Sequence, residues 1–269
     1  MKNLQCILYN NDCYEADVRI KPTRIVVHST GAPNPYIKRY IQPAAYQKTG
    51  MGGLTRAEIM ELLGKNKYNN DWNHSNVSVC VHAVIGKLAD DSIATVQCLP
   101  WNVRSWGVGK GKRGSFNDSA INFEICEDDL QSKSYCQATY NEAVEFCVKM
   151  CKTYNIPVEN IVSHKEAHEL GYGSNHGDPH HWWSKFGFTM NGFRKAVEEK
   201  LNGSTLPYKV RVTVNKLNIR SGPGTEYEKV GSITDKGVYT ITKVQGNWGF
   251  LLSSAGWICL KGYTEIYKG

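Results

Sequence analysis

An α/β domain followed by a small all-β unit is the fold class this sequence predicts, and three observations carry it. Apolar strand-like runs alternate with helical stripes over residues 1–201. A composition break follows at LNGSTLP, residues 201–207, where an apolar helical stripe gives way to Gly, Ser, Thr and Pro. Beyond it, YKVRVTVNKLNIRSGPGTEY alternates apolar and polar residues and then breaks on Gly-Pro-Gly, which is strand and turn grammar. The expected organisation is a domain over 1–201, a linker over 202–207 and a β unit over 208–269.

Within the first domain, RIVVH (24–28), CVHAVI (80–85), IATVQ (93–97) and INFEIC (121–126) read as largely buried strands. Two Thr-x-x-Glu pairs predict helix starts, Thr55 with Glu58 and Thr139 with Glu142, each followed by an apolar stripe. The first stripe (Ile59, Leu62, Leu63) stops at Gly64. The second runs through Val144, Cys147, Val148 and Cys151. Residues 65–76, rich in Asn, read as a surface loop. PVENIVS (157–163) supplies a turn and a short strand leading to His164. TMNGFRKAVEEKL repeats apolar residues at Phe193, Val197 and Leu201, a helix expected to stop at Gly203.

Composition narrows the class. The chain has 269 residues, 41% hydrophobic and 21% charged, ordinary for a protein that buries a core. No run of about 18 apolar residues predicts a membrane span. The N-terminal stretch has one early lysine and an apolar run broken by Asn10 and Asn11, so no secretory signal is expected, and synthesis and retention in a cytosol follow as an expectation. Nine cysteines without C-x-x-C spacing predict reduced, mostly buried thiols rather than a disulfide framework or zinc knuckle. The net charge is +7, and nine Lys or Arg against four Asp or Glu after residue 207 place +5 of it in the β unit. Such a surface suits nucleic acid, anionic lipid or an anionic polymer such as teichoic acid, and charge alone does not separate them.

The densest chemistry lies in IVSHKEAHELGYGSNHGDPHHWW (161–183), which holds five of the eight histidines. HKEAH, His164 to His168, has the i, i+4 spacing of a zinc-binding helix, but Lys165 stands where such a helix carries its catalytic Glu. The better reading sets His164 at a strand end, like His28 at the end of RIVVH, so that two neighbouring strands bring two imidazoles together. Asp178, on the stiff backbone before Pro179, supplies a third ligand. His-His-Asp plus water is the open arrangement of a catalytic zinc site. Glu124, a charge inside an apolar strand, needs a partner or a task, and a general base beside the metal is that task. Glu127, Asp128 and Asp129 lie past the expected strand end and read as solvated.

The pieces VVHST (26–30), CVHAVIG (80–86), SWGVG (105–109), INFEIC (121–126), SH (163–164) and DP (178–179) occur in order over about 155 residues. Together they resemble the zinc-dependent N-acetylmuramoyl-L-alanine amidases of the peptidoglycan-recognition and phage-lysozyme fold. That resemblance implies a mixed central sheet with flanking helices and Zn2+ held by His28, His164 and Asp178. It also implies Glu124 as a catalytic carboxylate. His176, two residues before Asp178, stands where several relatives carry an oxyanion-stabilising Lys, and is expected to donate to the oxyanion. Trp106 is a candidate substrate-binding residue, with a core role equally open. His168 is expected in the loop or supporting a ligand rather than as one, and His82 as structural or supporting a ligand. His180 and His181 are expected in a substrate-wall or core turn with Trp182 and Trp183. Three departures stand out: a longer gap from His164 to Asp178, Gly107 where many relatives have His after the tryptophan, and no strand tyrosine near Cys80.

LNIRSGPGTEYEKVG (217–231), with NWGFLLSSAGWICLKGY (247–263), resembles the bacterial SH3-type module, which implies a small barrel that grips the cell wall. Tyr227, Trp248, Trp257 and Tyr263 are its aromatic candidates, with a core role as the alternative. The expectation is a peptidoglycan hydrolase cutting between the N-acetylmuramic acid lactyl group and L-alanine, of the endolysin kind found in clostridia and their phages, acting on the wall after release. Its partners would be peptidoglycan and anionic wall polymers, not nucleic acid or membrane. A non-catalytic wall-binding protein, a bacterial autolysin and a muropeptide-recycling amidase stay open as alternatives, and zinc content separates the first.

Overall fold

The computed structural model describes residues 4–45, 54–202 and 206–267. The chain divides into two compact units between Val197 and Glu198. The expected helix stop at Gly203 and residues 203–205 of the expected linker lie outside the described residues.

The first unit is built on a six-stranded mixed sheet: β1 (Leu4–Gln5), β2 (Arg24–Pro33), β3 (Ala83–Lys87), β4 (Ile93–Gln97), β5 (Ala120–Glu127) and β6 (Ile161–Ser163), in the order β1-β4-β3-β5-β2-β6. β3 and β4 form an antiparallel hairpin, while β3, β5, β2 and β6 run parallel. β5 and β6 are buried almost throughout and β2 from Ile25 to Ser29, as sheet strands covered on both faces must be. CVHAVI thus enters the sheet only at Ala83. His82 before it is fully buried and neutral in its bonding: Nε2 donates to Val103 O at 2.8 Å and Nδ1 accepts from the Asn122 N–H at 3.0 Å. Burial pushes its pKa down to about 4.

Among the described residues six α-helices belong to or lead out of this unit: α1 (Asp12–Ala16), α2 (Arg56–Leu63), α3 (Lys133–Tyr154), α4 (His164–Glu169), α5 (His180–Trp183) and α6 (Met190–Asn202). The capping box at Thr55 and Glu58 forms as its spacing predicts, and α2 ends at Gly64. The second Thr-x-x-Glu pair does not start a helix. α3 begins six residues earlier, capped by the Ser132 side chain, and Thr139 Oγ1 donates back to Tyr135 O inside it. Glu142 instead accepts from Thr95 Oγ1 on β4 at 2.8 Å. A Thr-x-x-Glu pair in mid-helix therefore mimics a cap when its hydroxyl has a backbone carbonyl one turn back.

α3 packs across β3, β4 and β5, with Phe146 against Phe123 at 4.9 Å between ring centroids. Trp182 and Trp183 of α5 are at most 1% exposed; they meet Tyr135 and Tyr140 of α3, and Trp183 also meets Phe193 of α6. α5 is thus an apolar anchor immediately after Asp178. Arg194 on α6 grips Glu166 on α4 with two hydrogen bonds of 3.0 Å. All nine cysteines are free thiols, and eight are buried.

The second unit is a seven-stranded sheet in which every pairing is antiparallel: β7 (Tyr208–Val212), β8 (Leu217–Arg220), β9 (Lys229–Ile233), β10 (Val238–Gln245), β11 (Trp248–Leu251), β12 (Trp257–Cys259) and β13 (Thr264–Ile266). Its order is β13-β7-β10-β11-β12-β8-β9. Its buried core is aliphatic: Val210, Val212, Leu217, Ile219, Ile233, Ile241, Leu251 and Ile258. The four aromatic candidates stay outside that set, with Tyr227 and Tyr263 43% and 44% exposed and Trp248 and Trp257 half-buried. In the SGPG turn, a Cβ on Gly222 would lie 2.3 Å from the Tyr227 ring, so only glycine admits that ring.

Candidate metal centre

The parallel register builds the site. β2 pairs with β5 so that His28 stands beside Glu124, and with β6 so that Val27 stands beside Ser163. His164 follows Ser163 directly, which puts both histidines at the same level. His164 stands at the carboxyl end of β6. His28, expected at a strand end, lies inside β2, which continues to Pro33, one residue before its regular pairing with β5 breaks after Ser29. His28 is 1% exposed and His164 5%. His164 is also the first residue of α4, whose N-cap Ser163 and Glu166 form a capping box. HKEAH is therefore helical, but His168 turns away: it is exposed, and its Nδ1 donates to Gly173 O at 3.2 Å.

Asp178 completes the cluster. Its Oδ2 lies 3.4 Å from His28 Nδ1 and its Oδ1 lies 3.4 Å from His164 Nδ1, while the two Nδ1 atoms are 3.0 Å apart. One donor atom from each of the three residues falls within 4.8 Å of the others. Two backbone bonds hold the aspartate in place: Ser29 N–H donates to Oδ2 at 3.3 Å, and Lys165 N–H to the Asp178 carbonyl at 3.4 Å. The Asp178–Pro179 peptide is cis.

Two polar side chains set the tautomers. His28 Nε2 donates to Asn122 Oδ1 at 2.9 Å, and the Asn122 amide nitrogen donates to Ser105 Oγ at 2.8 Å. His164 Nε2 donates to Ser174 Oγ at 3.1 Å, and that hydroxyl donates to Val108 O at 3.2 Å. In each neutral imidazole the remaining lone pair is on Nδ1, and both lone pairs converge with a carboxylate. Such a set calls for a cation, so the residues fit a divalent metal with an open fourth position. Burial alone would raise the Asp178 carboxyl, but the facing His164 and His28 rings outweigh it and hold it far below the usual range. Burial likewise opposes charge on His28, where bonding to Asp178 and the charge of Glu124 prevail and raise its pKa. On His164 burial prevails and lowers it.

Glu124 is half-buried, yet its Oε2 is enclosed and has no hydrogen-bond partner. Burial, opposed by His28 and reinforced by Asp178 and Glu127, pushes its pKa up to about 8. An unpartnered carboxylate oxygen beside a metal-ligand set is what a proton acceptor requires. His176 is exposed at the rim, its ring 4.5 Å from that of His164 and its Nδ1 3.0 Å from Ser174 Oγ. Trp106 packs half-buried on the apolar cluster that holds Cys13 and Cys80.

Glu127 requires a correction. It is the last residue of β5, 3% exposed, and its Oε1 accepts from Ser29 Oγ at 2.5 Å and faces His181 Nε2 at 2.9 Å. The strand runs one residue further than its apolar run suggests, so this carboxylate is covered rather than solvated. His180, for its part, meets Ser163 Oγ at 2.8 Å.

Sequence reasoning also missed Asn122, Ser174 and Ser29. A signal existed for the first: in INFEIC, Asn122 and Glu124 share one face at period two, and a polar residue 0% exposed in such a strand needs a partner. The SWGVG motif acquires a role as well. A Cβ on Gly109 (φ +68°) would lie 2.6 Å from Ser174 Oγ, so glycine there lets the loop close on the residue that holds His164.

The family described as N-acetylmuramoyl-L-alanine amidase (Amidase_2) matches residues 19–181, which contain His28, Glu124, His164, His176 and Asp178. The chain belongs to this amidase family. A curated relative, the N-acetylmuramoyl-L-alanine amidase CwlA of a Bacillus species, is 30% identical over 79 residues, 29% of this chain and 31% of the relative. The chain thus spans about a third of that relative's length. Among solved structures, PlyL is 22% identical with a TM-score of 0.46, covering 73% of this chain and 97% of its own. The Staphylococcus aureus hydrolase AmiA, solved with its ligand, is 19% identical with a TM-score of 0.48, covering 75% and 83%. The amidase match ends before the second unit begins.

Proposed function

We propose that this protein is a zinc-dependent peptidoglycan hydrolase of the endolysin kind, cleaving the amide between the N-acetylmuramic acid lactyl group and L-alanine. The observation that carries the reading is the convergence of His28, His164 and Asp178 within 4.8 Å in an amidase-family chain. The three residues would hold Zn2+, which when bound polarises a carbonyl and acidifies water. Glu124 Oε2 would take the proton of the attacking water and deliver it to the departing alanine nitrogen, leaving a lactyl carboxylate and a free amine. His176, whose Nδ1 lies 3.0 Å from Ser174 Oγ, would donate a ring N–H to the oxyanion.

The second unit would be an SH3-type wall-binding module. Its +5 charge favours anionic wall polymers beside peptidoglycan, and Tyr227 and Tyr263 are exposed enough to meet a polymer. A clostridial phage or prophage origin, cytosolic synthesis and action on the wall after release complete the proposal. The test is digestion of purified peptidoglycan with labelling of new amino groups. New L-alanine N-termini that require bound zinc are expected, and release of reducing sugar ends without them would sink the reading.

A further inference from the structure

Glu127 is a buried carboxylate with no part in the chemistry above, and its contacts run to both sides of the metal centre. Ser29, one residue after the ligand His28, donates its hydroxyl to Glu127 Oε1 at 2.5 Å. Thr30 Oγ1 accepts the Glu127 backbone N–H at 3.0 Å. These bonds close an irregularity in the β2–β5 pairing, whose register jumps from Ser29 opposite Ile125 to Pro33 opposite Glu127. On the other side, the same Oε1 lies 2.9 Å from His181 Nε2. His181 belongs to α5, which follows the ligand Asp178 after one proline, and its N–H donates to Gly177 O at 3.4 Å.

One oxygen atom therefore ties the strand that carries His28 to the helix that follows Asp178. Between those two ties, Ser29 N–H points at Asp178 Oδ2. We propose that Glu127 is a positioning residue for the metal centre, fixing the separation of His28 and Asp178 by clamping Ser29 and His181 together. It touches neither ligand; it sets where the amide of Ser29 and the start of α5 stand. Buried polar links of this sort hold distance better than apolar packing, because the bond has a defined length and the unpaired alternative is costly. Partners just outside a ligand shell typically govern metal affinity by about 10- to 100-fold.

The inference rests on the zinc reading, and one experiment separates their failures. The full chain is stripped of metal, and zinc affinity is measured by competition with a chromophoric chelator, with thermal melting of the metal-free protein in parallel. Wild type is expected to bind one zinc. Glu127→Ala should weaken that affinity about 10- to 100-fold. Glu127→Gln, whose amide oxygen still accepts the Ser29 hydroxyl, should lose less. Ser29→Ala and His181→Ala should each weaken zinc several-fold, and adding Ser29→Ala to Glu127→Ala should cost little more. Should Glu127→Ala fail to fold, the Ser29 and His181 variants decide alone, since His181 lies at the surface. Unchanged zinc affinity in those two, or in a folded Glu127→Ala that merely melts earlier, overturns the positioning role while leaving the zinc reading intact. A wild type that binds no zinc removes both.

Discussion

The two units spend burial differently. Among the described residues, all the buried polar and charged side chains lie in the first unit, and the second buries only aliphatics beside its glycines. In the first, an apolar sheet carries a polar seam from His82 through Asn122 and His28 to His164 and Ser174. Every such group costs free energy unless paired, so the seam is a standing charge on stability that only function explains. Among the described residues the second unit has no such seam. A buried centre and an aliphatic core answer to different perturbations, and five measurements sharpen or break that contrast.

The largest effect on activity belongs to Glu124→Gln. Loss of the acceptor should cut amine release by about 100- to 10,000-fold while zinc stays bound. Retained activity in that variant would return Glu124 to a structural role. In the other unit, Ile241→Ala should cost about 2–5 kcal/mol of that unit's stability, since Ile241 is fully enclosed. Zinc content of the same variant should not change, and a change would deny the independence of the two cores.

His82 sets a pH dependence. Its folded pKa of about 4 lies below the ordinary 6.5. Between these values the unfolded chain takes a proton that the folded chain refuses. The neutral His82 thus contributes fully above pH 6.5, and the contribution is lost as pH falls toward 4, on the order of 3 kcal/mol in all. Urea midpoints of metal-free protein should drop over that window, and less steeply in His82→Gln; an identical slope in both would reject the assignment.

Asn122→Ala should weaken zinc binding by about 10- to 100-fold, because His28 would lose the acceptor that fixes its tautomer. Zinc competition on folded protein checks this, with wild-type affinity as the adverse result. The smallest effect is expected from Tyr227→Ala, about two- to tenfold in wall sedimentation with hydrolysis of soluble muropeptide unaltered. A loss on the soluble substrate instead would place Tyr227 in the chemistry.

Much of this contrast was legible before any coordinates. Alternating runs after residue 207 announced an all-β unit, and the apolar runs around His28 and Glu124 announced buried strands, while the direction of each strand came only from the pairing. The failures were local. The pair Thr139 and Glu142 looked like a cap because spacing does not reveal whether a hydroxyl faces a free N–H or the carbonyl of a preceding turn. Glu127 looked solvated because strand ends are not marked in residue type. The aromatics of the β unit could not be sorted into core or surface, since short strands with many turns leave the facing of each ring to the closure of the sheet.

Residue types alone determined the available chemistry: two imidazoles after apolar runs, a carboxylate before a proline, and a charged residue inside an apolar strand. What the tertiary structure decided is which atoms meet. Nδ1 rather than Nε2 faces the centre because Asn122 and Ser174, 52 residues apart in sequence, claim the other nitrogens. His168, four residues from His164, is excluded because its helix turns it toward Gly173. The physical reason is that a ligand set depends on direction as well as identity. Direction comes from strand register and from hydrogen bonds between residues that only the fold makes neighbours.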